Sequence, residues 1–250
     1  MYKYIKIEDK GKVRIITIAT GSALNPLSID ILNEIKNGIE SSEERVIILT
    51  GSEKAFSAGA NVKDFKGLTP AEAFEFARKG HEVMDYIASY SMPVIAAIHG
   101  FALGGGFELA LACDIRIAKP GTVLGLPEIT LGILPGFGGT QRLKTLIGEG
   151  RAFDMIANGK RIDAHDALVL GVVNEVSEDY LGRAKEYARD LAEKPRLSLQ
   201  LIKQLLRTKS GKGFKEEQEA FGKVFESLDS KEGVDAFLEK RKPVFTGTKR

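Results

Sequence analysis

Two short stretches of this chain, residues 46–49 and 93–98, are apolar at every position. Continuous runs of that kind belong to strands buried in a sheet. A sheet hidden in this way has to be covered, and the residues between the runs supply the cover. Ile31, Leu32, Ile35 and Ile39 recur at helical spacing within 28–40, and a helix with Ala, Phe and Met positions is expected over about 71–88. A further helix can run through Leu109-Ala110-Leu111-Ala112, with a strand at 114–118. The repeated strand, turn and helix predict an α/β architecture.

Residues 2–8 and 13–18 read as an opening hairpin around Asp9-Lys10-Gly11. The segment 100–106, Gly100-Phe101-Ala102-Leu103-Gly104-Gly105-Gly106, is too rich in glycine for the interior of any element. Beyond Pro135 the strands thin out. Helices are expected at about 138–147, 151–157, 164–170, 180–193, 196–209, 214–227 and 230–240, interrupted by one strand at 172–176. Asp163 suits the N-cap of the helix from Ala164, and Gly171 its left-handed C-terminal residue. A boundary near Glu193-Lys194-Pro195 divides a core of residues 1–192 from a helical C-terminal part, 193–250, too small to stand alone. It is expected to pack on its own core or on a neighbouring subunit.

Basic and acidic side chains number 36 and 34, intermixed along 250 residues for a net charge of +2, so no global field favours nucleic acid or an anionic membrane. Cys113, the single cysteine, can form no intramolecular disulfide, and no Cys or His spacing suggests a metal site. With no signal-peptide pattern and no run of eighteen apolar residues, the expectation is a soluble, cytoplasmic protein.

Glutamate occurs twice beside backbone stripped of bulk or stiffened: in Gly104-Gly105-Gly106-Phe107-Glu108 and in Gly125-Leu126-Pro127-Glu128. Each stretch by itself reads equally as ordinary structure, a close-packed glycine turn or the first turn of a helix. Brought together, the two carboxylates would form an acid/base pair, and their apolar neighbours favour burial and a raised pKa. In Phe56-Ser57-Ala58-Gly59-Ala60-Asn61-Val62, small side chains admit a ligand to the backbone, and a helical turn from Val62 would leave amides near Ala60 and Asn61 free for a carbonyl oxygen or phosphate. Pro135-Gly136-Phe137-Gly138-Gly139-Thr140-Gln141-Arg142 reads either as the plain start of a helix or as backbone lining a pocket. The glycines match no dinucleotide or phosphate-loop fingerprint. His81, His99 and His165 accompany no nucleophile motif and read as structural.

Jointly, these residues resemble the enoyl-CoA hydratase, or crotonase, family. Ala23-Leu24-Asn25, residues 55–63, residues 93–110, Pro127-Glu128, residues 131–143 and Phe237-Leu238-Glu239-Lys240-Arg241-Lys242 carry the resemblance in the family's order over nearly the whole chain. It implies a core of repeated ββα units and a helical C-terminal region that takes part in trimer formation, commonly in a dimer of trimers. It implies an oxyanion hole made by the amides of Ala60 and Gly105 for the thioester carbonyl of an acyl-CoA, with Leu24, Ala58, Asn61, Val62, Gly104, Pro127 and Leu131 near the substrate. Gly136 would supply a backbone contact near the attacking water.

Hydratases resemble this chain in carrying both glutamates, whereas many isomerases and other relatives lack one. The implied activity is hydration of a trans-2-enoyl-CoA, with water activation mainly at Glu108 and Cα protonation mainly at Glu128. No cofactor is expected beyond the coenzyme A of the substrate. Lys63, Lys240 and Lys242 are candidates for its phosphates. A double-bond isomerase of the same fold is the alternative, followed by the RNA binding that some relatives combine with hydration, which the near-neutral charge disfavours. Two departures stand out: Asn61 replaces the usual Asp, and Ala19-Thr20-Gly21-Ser22 replaces the common Asn-Arg-Pro, which bears on the adenosine side of the pocket.

Overall fold

A computed structural model describes residues 2–207 and 213–247. The chain opens with the hairpin β1 (Ile5–Lys10) and β2 (Val13–Ile18), followed by α1 (Ile29–Glu40) and β3 (Val46–Gly51). A 3₁₀ turn (Val62–Phe65) leads to α2 (Pro70–Ser89). Then come β4 (Val94–Ile98), β5 (Phe101–Leu103), α3 (Gly105–Ala112), β6 (Ile115–Ala118), β7 (Val123–Gly125) and a second 3₁₀ turn (Glu128–Leu131). The rest is α4 (Gly139–Ile147), α5 (Glu149–Ala157), β8 (Arg161–Asp163), α6 (Ala164–Val169), β9 (Glu175–Val176), α7 (Tyr180–Ala192), α8 (Arg196–Leu206), α9 (Gly213–Val224) and α10 (Leu228–Leu238).

Six strands in the order β1-β2-β3-β4-β6-β9 form one sheet, parallel except for the β1–β2 hairpin. A second sheet has the order β5-β7-β8. Successive strands step between them: β4 leads to β5 and then α3, and β6 leads to β7 and then the second 3₁₀ turn. These steps are the repeated ββα units. Ile48, Leu49, Ile95 and Ala96 are wholly buried, as strands covered on both faces require. The alanines Ala184 and Ala188 let α7 lie close against the large sheet. Helix starts follow local chemistry, since Ser28 caps α1, Thr69 and Glu72 form a capping box on α2, and Asp163 caps α6.

The structure departs from expectation in several places. β5 lies inside the glycine-rich segment held to be free of elements. Its glycines bracket the strand instead of interrupting it: Gly100 and Gly104 take φ +62° and +52°, while Ala102 and Leu103 are buried. β7 and β8 went unseen because three residues are too few to show a period. The strand expected at 172–176 shrinks to its last two residues, with Val172 and Val173 buried in the turn before it. The hairpin turn is Gly11-Lys12, sharing only Gly11 with the expected Asp9-Lys10-Gly11, because pairing continues to Lys10↔Val13. Of the helix expected at 196–209, residues 208–209 lie outside the described residues.

Ion pairs tie the C-terminal helices to the core: Arg196 of α8 pairs with Glu44, and Lys203 and Arg207 both pair with Asp114. Lys203 Nζ on α8 donates to Asp114 Oδ2 at 2.7 Å and to the Met92 carbonyl at 2.9 Å, while Asp114 Oδ2 also accepts from the Val94 amide at 2.8 Å. α9 and α10 bury little, and Phe214 and Phe237 are 89% and 82% exposed. No helix among the described residues is long and apolar enough to cross a membrane.

Candidate active site

Where β5 ends, Gly104 turns the chain with φ +52° and α3 begins, every residue of it buried. Glu108 falls in the first turn of this helix and is 1% exposed. Its Oε1 accepts two main-chain hydrogen bonds, from Phe137 N at 2.8 Å and Gly139 N at 2.7 Å. Only glycine fits at 139 without crowding, since a Cβ there would stand 3.0 Å from Glu108 Oε1. Glu128 opens the second 3₁₀ turn and reaches the same place: a Cβ on Gly104 would lie 3.1 Å from its Oε1. Both carboxyls line one cavity of about 720 Å³.

Their electrostatics differ. Burial pushes the Glu108 carboxyl up, against the two amides and the more distant Arg142 guanidinium. Burial, reinforced by the charge of Glu108, raises Glu128 to about 7. Glu128 Oε2 is buried with no hydrogen-bond partner among the described residues. Two like charges in a mostly apolar cavity cannot ionise independently, so the two carboxyls titrate as a coupled pair.

Ala60 and Gly105 meet on the wall of the same cavity. Gly105 is the first residue of α3, so its N–H has no acceptor within the helix. Ala60 forms a parallel bridge with Leu27, in which Leu27 N donates to the flanking Gly59 carbonyl at 2.9 Å and the Ala60 amide has no backbone acceptor among the described residues. The two amides are neighbours, since a Cβ on Gly105 would stand 3.6 Å from Ala60 N. Gly59, at φ +91°, allows the approach: a Cβ on it would lie 2.6 Å from the Leu103 carbonyl oxygen and 3.1 Å from Gly105 N.

Ala58, Val62, Gly104, Pro127, Leu131 and Gly136 also line the cavity. Leu24, Asn61 and the three lysines do not. Leu24 is 43% exposed, and its carbonyl accepts from Ala58 N at 2.8 Å, which steadies the loop from behind. Asn61 caps the first 3₁₀ turn through Lys63 N. Lys63, Lys240 and Lys242 are exposed, the last two at and beyond the end of α10. None of the three histidines lines the cavity. His99 packs on Tyr180 with Nε2 3.2 Å from the Glu53 carbonyl oxygen.

Sequence reasoning missed several contributors. Phe65, Leu68, Phe76 and Arg161 form cavity wall, and no motif marks them. The amides of Phe137 and Gly139 were visible only as a glycine-rich stretch with two readings, and both readings hold, because the same backbone begins α4 and lines the cavity.

An α/β fold that lines one cavity with two carboxyls and two neighbouring main-chain amides has the means to move protons next to a carbonyl group. The chain matches the enoyl-CoA hydratase/isomerase family over residues 8–248 and belongs to it. It is 41% identical over 247 residues to the short-chain-enoyl-CoA hydratase of Clostridium acetobutylicum, covering 94% of this chain and 95% of the relative. Identity to the crotonyl-CoA hydratase of Syntrophomonas wolfei is 40% over 255 residues, 98% of each chain. The crystal structure of an enoyl-CoA hydratase from Bacillus anthracis is similar at a TM-score of 0.91 and 36% identity, covering 98% of this chain and all of that one. The fold is the crotonase fold.

Proposed function

We propose that this protein is an enoyl-CoA hydratase, a hydro-lyase that reversibly adds water to a trans-2-enoyl-CoA to give a 3-hydroxyacyl-CoA in fatty acid metabolism. The observation that carries this reading is the contrast between two carboxyls in one cavity. Glu108 Oε1 is gripped by two amides, whereas Glu128 is raised to about 7 with a buried oxygen left unpaired. A group poised near neutrality suits proton donation, and a carboxylate stabilised by amides suits proton uptake.

Glu108 takes a proton from water as its oxygen attacks Cβ, and Glu128 gives its proton to Cα. The carboxyl pair therefore holds one proton before and after, and reversal needs only the exchanged roles. Negative charge on the thioester oxygen in the enolate-like transition state is met by the Ala60 and Gly105 amides, each donor worth roughly 3–4 kcal/mol. The chemistry uses carboxyls, amides and water, and coenzyme A enters as part of the substrate. Gly136 on the cavity wall would approach the water, and Lys63, Lys240 and Lys242 would meet the coenzyme A phosphates. The exposed aromatic residues of α9 and α10 support a homotrimer or dimer of trimers that buries this face, and the reading is of a cytoplasmic enzyme.

The deciding experiment follows the loss of conjugated enoyl-thioester absorbance over a series of chain lengths and identifies the product. A 3-hydroxyacyl-CoA is expected. Conversion of a 3-enoyl-CoA to its 2-enoyl isomer without hydration would replace this reading with the isomerase.

A further inference from the structure

Phe137 is held at both ends of its own backbone. Its N–H donates to Glu108 Oε1 at 2.8 Å, and its carbonyl oxygen accepts from Arg142 Nη1 at 2.8 Å. Gly138 follows, in the left-handed region at φ +98°, and a Cβ on it would collide with Arg142 Nη1. Gly139 then gives the second amide to Glu108. The turn at 137–139 is thus a thin layer of nearly bare backbone, with the carboxylate on one side and the guanidinium on the other.

Arg142 lies outside the cavity, with its side chain 18% exposed. Its ion-pair partner is Asp85 on α2, Nη2 to Oδ1 at 2.6 Å, and that carboxylate is 72% exposed. A pair so wet returns little of the cost of burying a guanidinium. The buried charge that Arg142 faces is Glu108. The other charged or titratable groups around Arg142 are His81 on α2 and Arg207 just past α8, and Arg207 opposes its charge. Glu108 for its part faces Glu128 and Arg142.

We propose that Arg142 is a positioning residue of this site: it anchors the 137–139 turn against Glu108 and favours the ionised carboxylate, readying it to take a proton from water without touching the acyl group. The inference rests on the reading of Glu108 as the water-activating group. It agrees with the balance at Glu108, where burial is opposed first by the two amides and then by Arg142.

The test combines kinetics with ¹³C NMR titration of the Glu108 carboxyl, its resonance assigned by Glu108→Gln, in wild type, Arg142→Gln and Arg142→Lys. With Arg142→Gln, kcat is expected to fall about 10- to 100-fold while the Kd for a saturated acyl-CoA stays within about twofold, and Glu108 titrates roughly one pH unit higher. Arg142→Lys, which keeps the charge, should return the titration close to wild type. An unchanged Glu108 titration in Arg142→Gln, or one displaced as far in Arg142→Lys, overturns the proposal. If Arg142→Gln does not fold, the lysine variant decides alone: wild-type titration with reduced kcat supports the inference, and a displaced titration overturns it. Wild type that fails to hydrate any enoyl-CoA would instead defeat the functional reading, and the NMR comparison would still decide the role of Arg142.

Discussion

Glu108 and Glu128 share one cavity but are held in opposite ways: two amides at 2.8 and 2.7 Å fasten one oxygen of Glu108, while Glu128 Oε2 is buried without a partner among the described residues. That asymmetry underlies the proposed division into acid and base. Amides stabilise an anion, and a desolvated, unpaired oxygen favours the protonated acid.

Replacing either carboxyl should stop the chemistry and spare binding. Glu108→Gln and Glu128→Gln are each expected to lower kcat by about 10²–10⁴. Calorimetric affinity for a saturated acyl-CoA should stay close to wild type. A variant that hydrates at nearly the native rate would remove that residue from the mechanism.

The pH profile should report the shared proton. Because the active form carries one proton on the pair in both directions, kcat/KM for hydration and for dehydration should have the same bell shape, with an alkaline limb near the Glu128 value of about 7. In the residual activity of Glu128→Gln this limb should be gone. A flat wild-type profile on both sides of neutrality would contradict the assignment.

Stability should respond to the same group. The Glu128 carboxyl is raised from 4.5 to about 7, so the folded protein binds its proton more tightly than the unfolded chain does. The resulting stabilisation is complete below 4.5 and is lost as pH rises through about 7. Denaturant unfolding of wild type should therefore weaken across this window by on the order of 1–3 kcal/mol more than that of Glu128→Gln. Parallel curves for the two proteins would count against the buried acid.

Gly59→Ala tests the amide pair. The new Cβ would press on the Leu103 carbonyl and on Gly105 N from a backbone at φ +91°. Stability should fall by about 1–2 kcal/mol. If the amides form the oxyanion hole, kcat should fall by about 10²-fold in the protein that remains folded. A folded variant with native kcat would show that the spacing of these amides is irrelevant.

Asp114→Asn probes the seat of α8. It leaves the Lys203 ammonium, already held below its usual range by burial, without its carboxylate. A loss of about 2–4 kcal/mol in global stability is expected, with activity per folded molecule unchanged. A change within 0.5 kcal/mol, ordinary for a surface substitution, would mean that the Asp114 carboxylate adds nothing to the seat of α8.

Elements long enough to show a period were legible in the chain. The apolar spacing of α1, the full burial of β3 and β4, and the cap at Asp163 follow from local chemistry. β5, β7 and β8 were not, because three residues carry no pattern and their pairing is with distant segments. In the site, glycine and proline drew attention to Glu108, Glu128 and the loop at Ala60, while the pairing of the Ala60 and Gly105 amides came from the resemblance to the crotonase family. Phe65, Phe76 and Arg161 gave no signal, since an aromatic or an arginine looks the same on a cavity wall as elsewhere.

The sequence by itself determined which residues could do chemistry, for the types and their glycine-bearing neighbours are local facts. Only the tertiary structure decided what each carboxyl is. Residues 137–139 pass between Glu108 and Arg142, and among the described residues no such contact forms at Glu128 Oε2. A pKa is set by desolvation and by charges and dipoles within a few ångströms, and distance in space, unlike the order of residues, is settled only when the chain has closed around its core.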